Sequence, residues 1–288
     1  MPPLRCEPAG LWLPQRASDL VVPCEHGLLG PNLLTNGHGE YGDTTGWTTG
    51  FTWVGSGGVN GDACFKAGET AVLSQKTFPL NPLTDSLYGA IWDRRDADTS
   101  RPLYTGVACV SAYGEIIRPA MCHRLQNTHC TLFENYTAGS TTMKVTPPAN
   151  DVSGLSALAI QANISSDDLD LPVMAAQMQY VTSVTKNVDH WVLTLLSGLS
   201  QSYSAGTLCA FSQSGASYTY FLGSAITPPL TWEKRVATIL PGVNDKYTMP
   251  ADNQYRLGTV AVRFLCFTSG GSGSYNTYID GMELRRIY

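Results

Sequence analysis

The chain has 288 residues, 43 per cent of them apolar, which suffices for a folded core and excludes a disordered protein. Charged residues supply 14 per cent, against roughly 25 per cent in ordinary soluble domains, and the 28 glycines, 17 prolines and 10 per cent aromatics favour strands and turns over surface helices. A formal charge of -5 without a basic stripe argues against nucleic acid as a partner, and no apolar run reaches the roughly 20 residues that membrane insertion by a helix requires.

Residues 1–31 are proline-rich and lack sustained periodicity, so they read as an extended arm that needs another surface to order it. The opening "MPPLRCEPAGLWLPQRASDL" lacks the apolar stretch and cleavage site of a signal peptide, and export by that route is not expected. From Trp47 onward, short apolar or alternating stretches ("WTTGFTWV", "ACFKA", "TAVLSQ", "LYGAIWD", "LYTGVACVSAYG") are separated by turn residues at the spacing of a β-sandwich or barrel. Residues 131–215 change character, being rich in Ser, Thr, Asp and Pro around short apolar patches, and read as an inserted small β subdomain. Within them, "VTSVTKNVDHWVLTLLSGL" predicts a hairpin, and "DLPVMAAQMQYV" (170–181) is the best helical segment. Longer strands resume in "PLTWEKRVATI", "YRLGTVAVRFLCF" and "YNTYIDGMELRRI".

"MCHRLQNTHC" places Cys122 and His123 before His129 and Cys130, all competent zinc ligands. Adjacent side chains diverge, so the spacing is poor for zinc. On a hairpin Cys122 and Cys130 would instead face each other as a disulfide, or remain buried thiols like the other cysteines. G-x-S-x-G, H-E-x-x-H, Walker and dinucleotide signatures are all missing, and the expectation is a protein that is not an enzyme. The acidic groups Asp93, Asp96 and Asp98, and Asp167, Asp168 and Asp170, read as solvated loops rather than as paired catalytic carboxylates. Flat aromatic rings stack on sugar faces, which makes Tyr104, Tyr136, Trp191, Tyr218 and Tyr220 candidate glycan contacts, with Trp53 beside them.

"NLLTNGHGEYGDTTGW" (32–47) and "YNTYIDGMEL" (275–284) resemble the first and last strands of carbohydrate-binding-module-like jelly rolls. "LYTGVACVSAYGEII", "PPLTWEKRVATI" and "YRLGTVAVRFLCFTSGG" are similar to the intervening strands of such modules in bacteriophage fibre and other virion surface proteins. The resemblance implies an all-β jelly-roll sandwich over 32–130 and 216–288, interrupted by the β subdomain at 131–215 and preceded by the attachment arm at 1–31. It further implies termini that pair, and a structural calcium held by Glu40 and Asp280 with Asn36 or Asp43 nearby. The implied function is a tail fibre or adhesin carrying a glycan-binding module for host attachment. Such a protein is located on the virion, made in the host cytoplasm and released by lysis, and assembles as a homo-oligomer, with trimers common. Its partners are other virion proteins, met through the arm, and a host surface glycan. A capsid decoration or collar protein and the accessory module of a glycan-active enzyme are the alternatives.

Overall fold

The computed structural model describes residues 22–24, 27–68, 70–96, 101–269 and 276–288. The hairpin of β1 (Val22–Cys24) and β2 (Gly27–Leu29) comes first. A long run of turns separates it from β3 (Phe51–Val54), β4 (Cys64–Ala67), β5 (Val72–Leu73), β6 (Phe78–Pro79), β7 (Ser86–Arg95) and β8 (Leu103–Val110). One helical turn, α1 (Pro119–Cys122), leads to β9 (Cys130–Thr131), β10 (Thr142–Val145), β11 (Leu158–Ala162), β12 (Met178–Lys186), β13 (Trp191–Leu195) and β14 (Leu208–Gln213). The last strands are β15 (Thr219–Tyr220), β16 (Glu233–Ile239), β17 (Ala261–Thr268) and β18 (Thr277–Ile287).

These strands make an all-β protein of seven-, six- and five-stranded antiparallel sheets. In the seven-stranded sheet β16, β7, β18 and β4 lie side by side; in the five-stranded sheet the order is β15, β8, β17 and then β5 and β6. The chain thus crosses from one sheet to the other at β4 to β5, β6 to β7, β7 to β8, β15 to β16, β16 to β17 and β17 to β18, the alternation of a jelly-roll sandwich. Alternation supplies the core: Leu87 and Ile91 of β7 face Leu103, Val107 and Cys109 of β8 and Val262, Phe264 and Cys266 of β17. Trp47 anchors one end, with Phe51, Phe65 and Phe264 edge-on at ring-centroid distances of 5.4, 6.3 and 6.0 Å; such pairs add about 0.5–1.5 kcal/mol each beyond burial.

Between β8 and β15, the six-stranded sheet curls on itself. Its order runs β10, β13, β12, β11, β14, β9, and its ends meet through a Leu132–Val145 bridge and backbone bonds from Phe133 to Lys144 (2.9 Å) and from Thr146 to Thr131 (2.8 Å). The result is a small closed barrel filled by Met143, Val145, Ile160, Trp191, Leu193, Leu195 and Phe211. Closure leaves no long edge to manage. The hairpin expected around 181–199 is β12 and β13.

Four expectations need correction. Residues 170–181 are not a helix: a single 3-10 turn at Ala175–Gln177 precedes β12, where pairing with β11 outweighs local helix propensity. Residues 32–46 contain no strand, because Asn36 adopts φ 58° and its buried amide holds the carbonyls of Asp43 and Thr45 (3.0 Å each) and the N–H of Tyr41 (3.2 Å), winding the segment into turns. The segment still meets the last strand. Leu33 donates to Leu284 (2.8 Å), Met282 to Gly37 (3.1 Å), and Leu284 to the Asn32 side chain (3.0 Å). The arm expected over 1–31 lies outside the described residues up to 21; its C-terminal part is packed on this chain, with β2 pairing β18.

The fourth correction concerns cysteine. Cys122 and Cys130 are separate free thiols, because no hairpin joins them: α1 turns Cys122 toward the Pro119 carbonyl (3.4 Å), and β9 carries Cys130 into the barrel core. Cys64, Cys109, Cys209 and Cys266 are also free and buried. Burial pushes the Cys122 and Cys209 thiols up to about 12 and raises Cys130 and Cys266 further. A thiol reagent is therefore expected to leave these six unmodified until the protein unfolds, and reductant to leave the melting temperature unchanged; modification of the folded protein at any of them contradicts this.

Candidate functional site

Three of the five candidate glycan contacts converge. On the outer face of the five-stranded sheet, Tyr104 of β8 lies directly across from Phe267 of β17, their rings stacked at 4.9 Å and 9°. Tyr220 of β15 packs on Tyr104 at 5.2 Å, and Tyr218 meets Phe267 edge-on at 6.1 Å. Tyr220 is buried, whereas Tyr104, Tyr218 and Phe267 remain half-buried and form an aromatic platform over Leu73, Ala108 and Leu265. Gly106 makes this packing possible: a Cβ there would strike the Thr219 carbonyl and the Tyr220 Cα, so only glycine lets β15 lie this close.

Polar groups frame the platform. Burial, with Tyr104 and Asp252 nearby, pushes the Tyr220 hydroxyl up to about 12, so it is a neutral donor at physiological pH. Arg256 sits behind it, its guanidinium donating to the carbonyls of Ser217 (2.8 Å), Ala216 (2.6 Å) and Ile117. Arg263, next along the outer face from Leu265, donates to the Ser74 carbonyl (2.6 Å). Sequence reasoning missed Phe267, although the alternation of "AVRFLCFT" carries it: Val262, Phe264 and Cys266 point inward, hence Arg263, Leu265 and Phe267 point outward.

The other two candidate contacts are elsewhere. Trp191 is 5 per cent exposed inside the barrel, against Phe211 at 6.1 Å. Tyr136 is 4 per cent exposed, its hydroxyl donating to Ser140 (2.6 Å) and accepting from Leu199 (2.8 Å). Neither ring is free to stack on a sugar. Trp53 is 36 per cent exposed, and its indole N–H donates to Gly39 (2.9 Å).

Glu40 and Asp280 are brought to one corner, with His38 between them. Glu40 accepts the His38 backbone N–H (2.9 Å), while Asp280 accepts from Val59 (2.9 Å) and Gly281 (2.6 Å) and lies 3.2 Å from the His38 imidazole. The bond to Asp280, opposed by burial, raises the His38 pKa. Calcium takes an oxygen shell, whereas here Glu40 is engaged by the His38 backbone and Asp280 by the His38 imidazole and two backbone N–H groups. Among the described residues no three His, Cys, Asp or Glu side chains gather as metal ligands. This donor set does not fit calcium, and the termini are tied by the bonds of Asn32, Leu33 and Gly37 to β18 together with the His38–Asp280 contact.

A charged network seats the barrel on the sandwich. Arg124, in the "MCHR" segment that drew attention for its cysteine and histidine, is fully buried. Its Nε donates to Gln161 of β11 (2.8 Å), one terminal nitrogen to Asp168, and the other to Asp170 (2.7 Å). Asp168 also receives His129 (2.9 Å) and the Tyr247 hydroxyl (2.8 Å), and Asp170 receives the Ser165 hydroxyl (2.7 Å). Burial works to raise both carboxyls, yet these bonds and the Arg124 charge hold them below the ordinary carboxylate value. Gln161 completes the seam by donating to Ala120 (2.7 Å) and His123 (3.1 Å). Tyr247 and Lys246 come from the sandwich strand connection, Asp168 and Asp170 from the barrel, so the seam joins the two units. Asp167, Asp168 and Asp170 are accordingly not one solvated loop: the last two close a structural clamp.

No protein-family model and no curated protein matches this chain.

Proposed function

We propose that the protein is a non-enzymatic structural protein of a phage virion, a fibre or adhesin that binds host surface glycan on the aromatic face of its jelly roll. The reading is carried by one observation: Tyr104, Tyr218 and Phe267 from separate stretches of chain share one half-exposed face, next to the Tyr220 hydroxyl and Arg263. Rings of this kind cover the apolar face of a sugar while hydroxyl and guanidinium groups bind its oxygens. The virion assignment is supported by the similarity of "LYTGVACVSAYGEII", "PPLTWEKRVATI" and "YRLGTVAVRFLCFTSGG" to strands of jelly-roll modules in bacteriophage fibre and other virion surface proteins. Single-site affinity on so shallow a face is weak, and many copies on one particle raise it.

The test is binding of the purified chain to host-envelope polysaccharide and to a glycan array. Tyr218→Ala and Tyr104→Ala are expected to lower affinity at least about tenfold, the loss of about 1.4 kcal/mol of stacking, with an unchanged far-UV spectrum. A wild-type protein that binds no glycan, or variants that bind as well as wild type, would overturn the reading. Decoration of a capsid is the second reading, favoured by the exposed Leu222, Leu230, Val236 and Leu240 on another side of the molecule. Stable association with capsid lattice in place of glycan would support it.

A further inference from the structure

Among the described residues β16 stands apart from the other sheet edges. Among the described residues the barrel is closed, and the remaining edge strands β1, β3, β5, β6 and β15 are four residues long or shorter. β16 runs for 7 residues, pairs only with β7, and makes no backbone bond on its other side among the described residues. Natural sheets blunt such an edge with charged side chains, proline, a bulge or a covering segment; the charges of β16, Glu233, Lys234 and Arg235, are confined to its first three positions and engaged within the chain. β16 contains no proline, its register with β7 is unbroken from Glu233 to Ile239, and Val236 at its centre is 47 per cent exposed. Exposed apolar side chains flank it, with Leu222, Leu230 and Leu240 at 37, 52 and 63 per cent.

A bare ladder of N–H and C=O groups is complementary to another strand. The sequence "EKRVATI" further favours its own copy. Paired antiparallel about a two-fold axis at Val236, Glu233 meets Ile239, Lys234 meets Thr238, and Arg235 meets Ala237 of the other chain. No like charges fall opposite each other, and Val236 meets itself on the axis. One step further, Trp232 of one copy lies against the exposed Leu240 of the other. The salt links of β16 do not compete, since Arg235 is bonded back to Asp93 (3.1 Å) and Glu233 (2.7 Å), and Lys234 to Glu283 (3.3 Å), all within one copy.

From this geometry we infer that β16 is a homodimer interface, at which two copies join their seven-stranded sheets edge to edge about a two-fold axis at Val236. The interface is isologous and closes at two copies, in contrast to the trimer implied by the fibre resemblance. It is independent of the glycan reading, since the platform lies on the other sheet.

Sedimentation velocity of the full chain tests it. Wild type is expected to sediment as a dimer at micromolar concentration, and Val236→Lys and Val236→Glu each as a monomer, because each places like charges against themselves on the axis. Both substitutions are at an exposed position, and an unchanged far-UV spectrum checks that the fold persists. Mixing the two variants is expected to restore the dimer, because only then do opposite charges meet. A wild type that is monomeric or trimeric, a dimer indifferent to Val236→Lys, or a mixture that stays monomeric would each overturn the inference.

Discussion

Replacing Arg124 with Met is expected to destabilise the protein by about 3–5 kcal/mol, the cost of breaking a buried ion pair from one side. In a chain of this size that lowers the melting temperature by on the order of 10 °C. The reason is the state in which the partners are left. Asp168 is 3 per cent exposed and keeps His129 and Tyr247, but loses the guanidinium that offsets its burial; Gln161 loses the donor to its side-chain oxygen. Arg124→Lys keeps the charge but cannot span Gln161, Asp168 and Asp170 at once, and is expected to recover only part of the loss. Adding Asp168→Asn to Arg124→Met removes the stranded charge and is expected to restore some stability, which a purely steric role for Arg124 would not produce. The comparison is Lys144→Met, whose pair with Glu134 is exposed (3.1 Å) and should cost less than about 1 kcal/mol. Equal effects of the two substitutions in thermal melts would contradict the clamp.

The second large effect is one of pH. Asp93 lies on the core face of β7 with no exposed surface; its Oδ1 accepts from Arg235 (3.1 Å) while Oδ2 finds no hydrogen-bond partner among the described residues. Desolvation, only partly offset by Arg235, pushes its carboxyl up to about 6 from an ordinary 3.8. A folded value above the unfolded one means that this group's contribution is fully present below pH of about 4 and is lost as pH rises through about 6. The shift corresponds to about 3 kcal/mol. Its charged neighbours are Glu233 and Arg235 on β16, and the Cys266 thiol of β17 lies close by. The depressed Asp168, Asp170 and Glu283 act in the opposite direction, losing their contribution as pH falls. The informative quantity is therefore the difference between wild type and Asp93→Asn in urea unfolding. Relative to the variant, wild type should lose stability between about pH 4 and pH 7, as deprotonation forces a charge into the core. A difference that stays constant over that range would contradict a buried, ionising Asp93.

What the sequence disclosed and concealed follows from the range of each signal. Strands such as "AVRFLCFT" and "TYIDGMEL" were legible because alternation is local, and the inserted unit because composition changes from residue 131 onward. The turns of 32–46 were not legible as turns: they depend on Asn36 at φ 58° and on bonds to residues up to nine positions away. The platform was half legible. An aromatic can be singled out anywhere, but whether it lies in the barrel core, as Trp191 does, or on an outer sheet face, as Tyr104 does, depends on partners such as Phe211 and Phe267 that only pairing brings near. Arg124 was concealed most fully. Charge predicts exposure, and the partners that reverse this lie 44 and 46 positions away, beyond any local pattern.

The arrangement amounts to a closed barrel held in one orientation on a jelly roll by a buried guanidinium clamp, with the aromatic sheet face half-buried and the β16 edge unpaired on one side among the described residues. The direct test is the distance distribution between spin labels on the two units. Val188 on the barrel and Leu83 on the sandwich are 102 and 65 per cent exposed and can be replaced by labelled cysteines, with Cys6 and Cys24 changed to serine and the six buried thiols left in place. With label present on dilute protein in an excess of unlabelled protein, a single narrow distance is expected, and it should broaden in Arg124→Met. A broad or two-peaked distribution in the unsubstituted background would contradict the clamp.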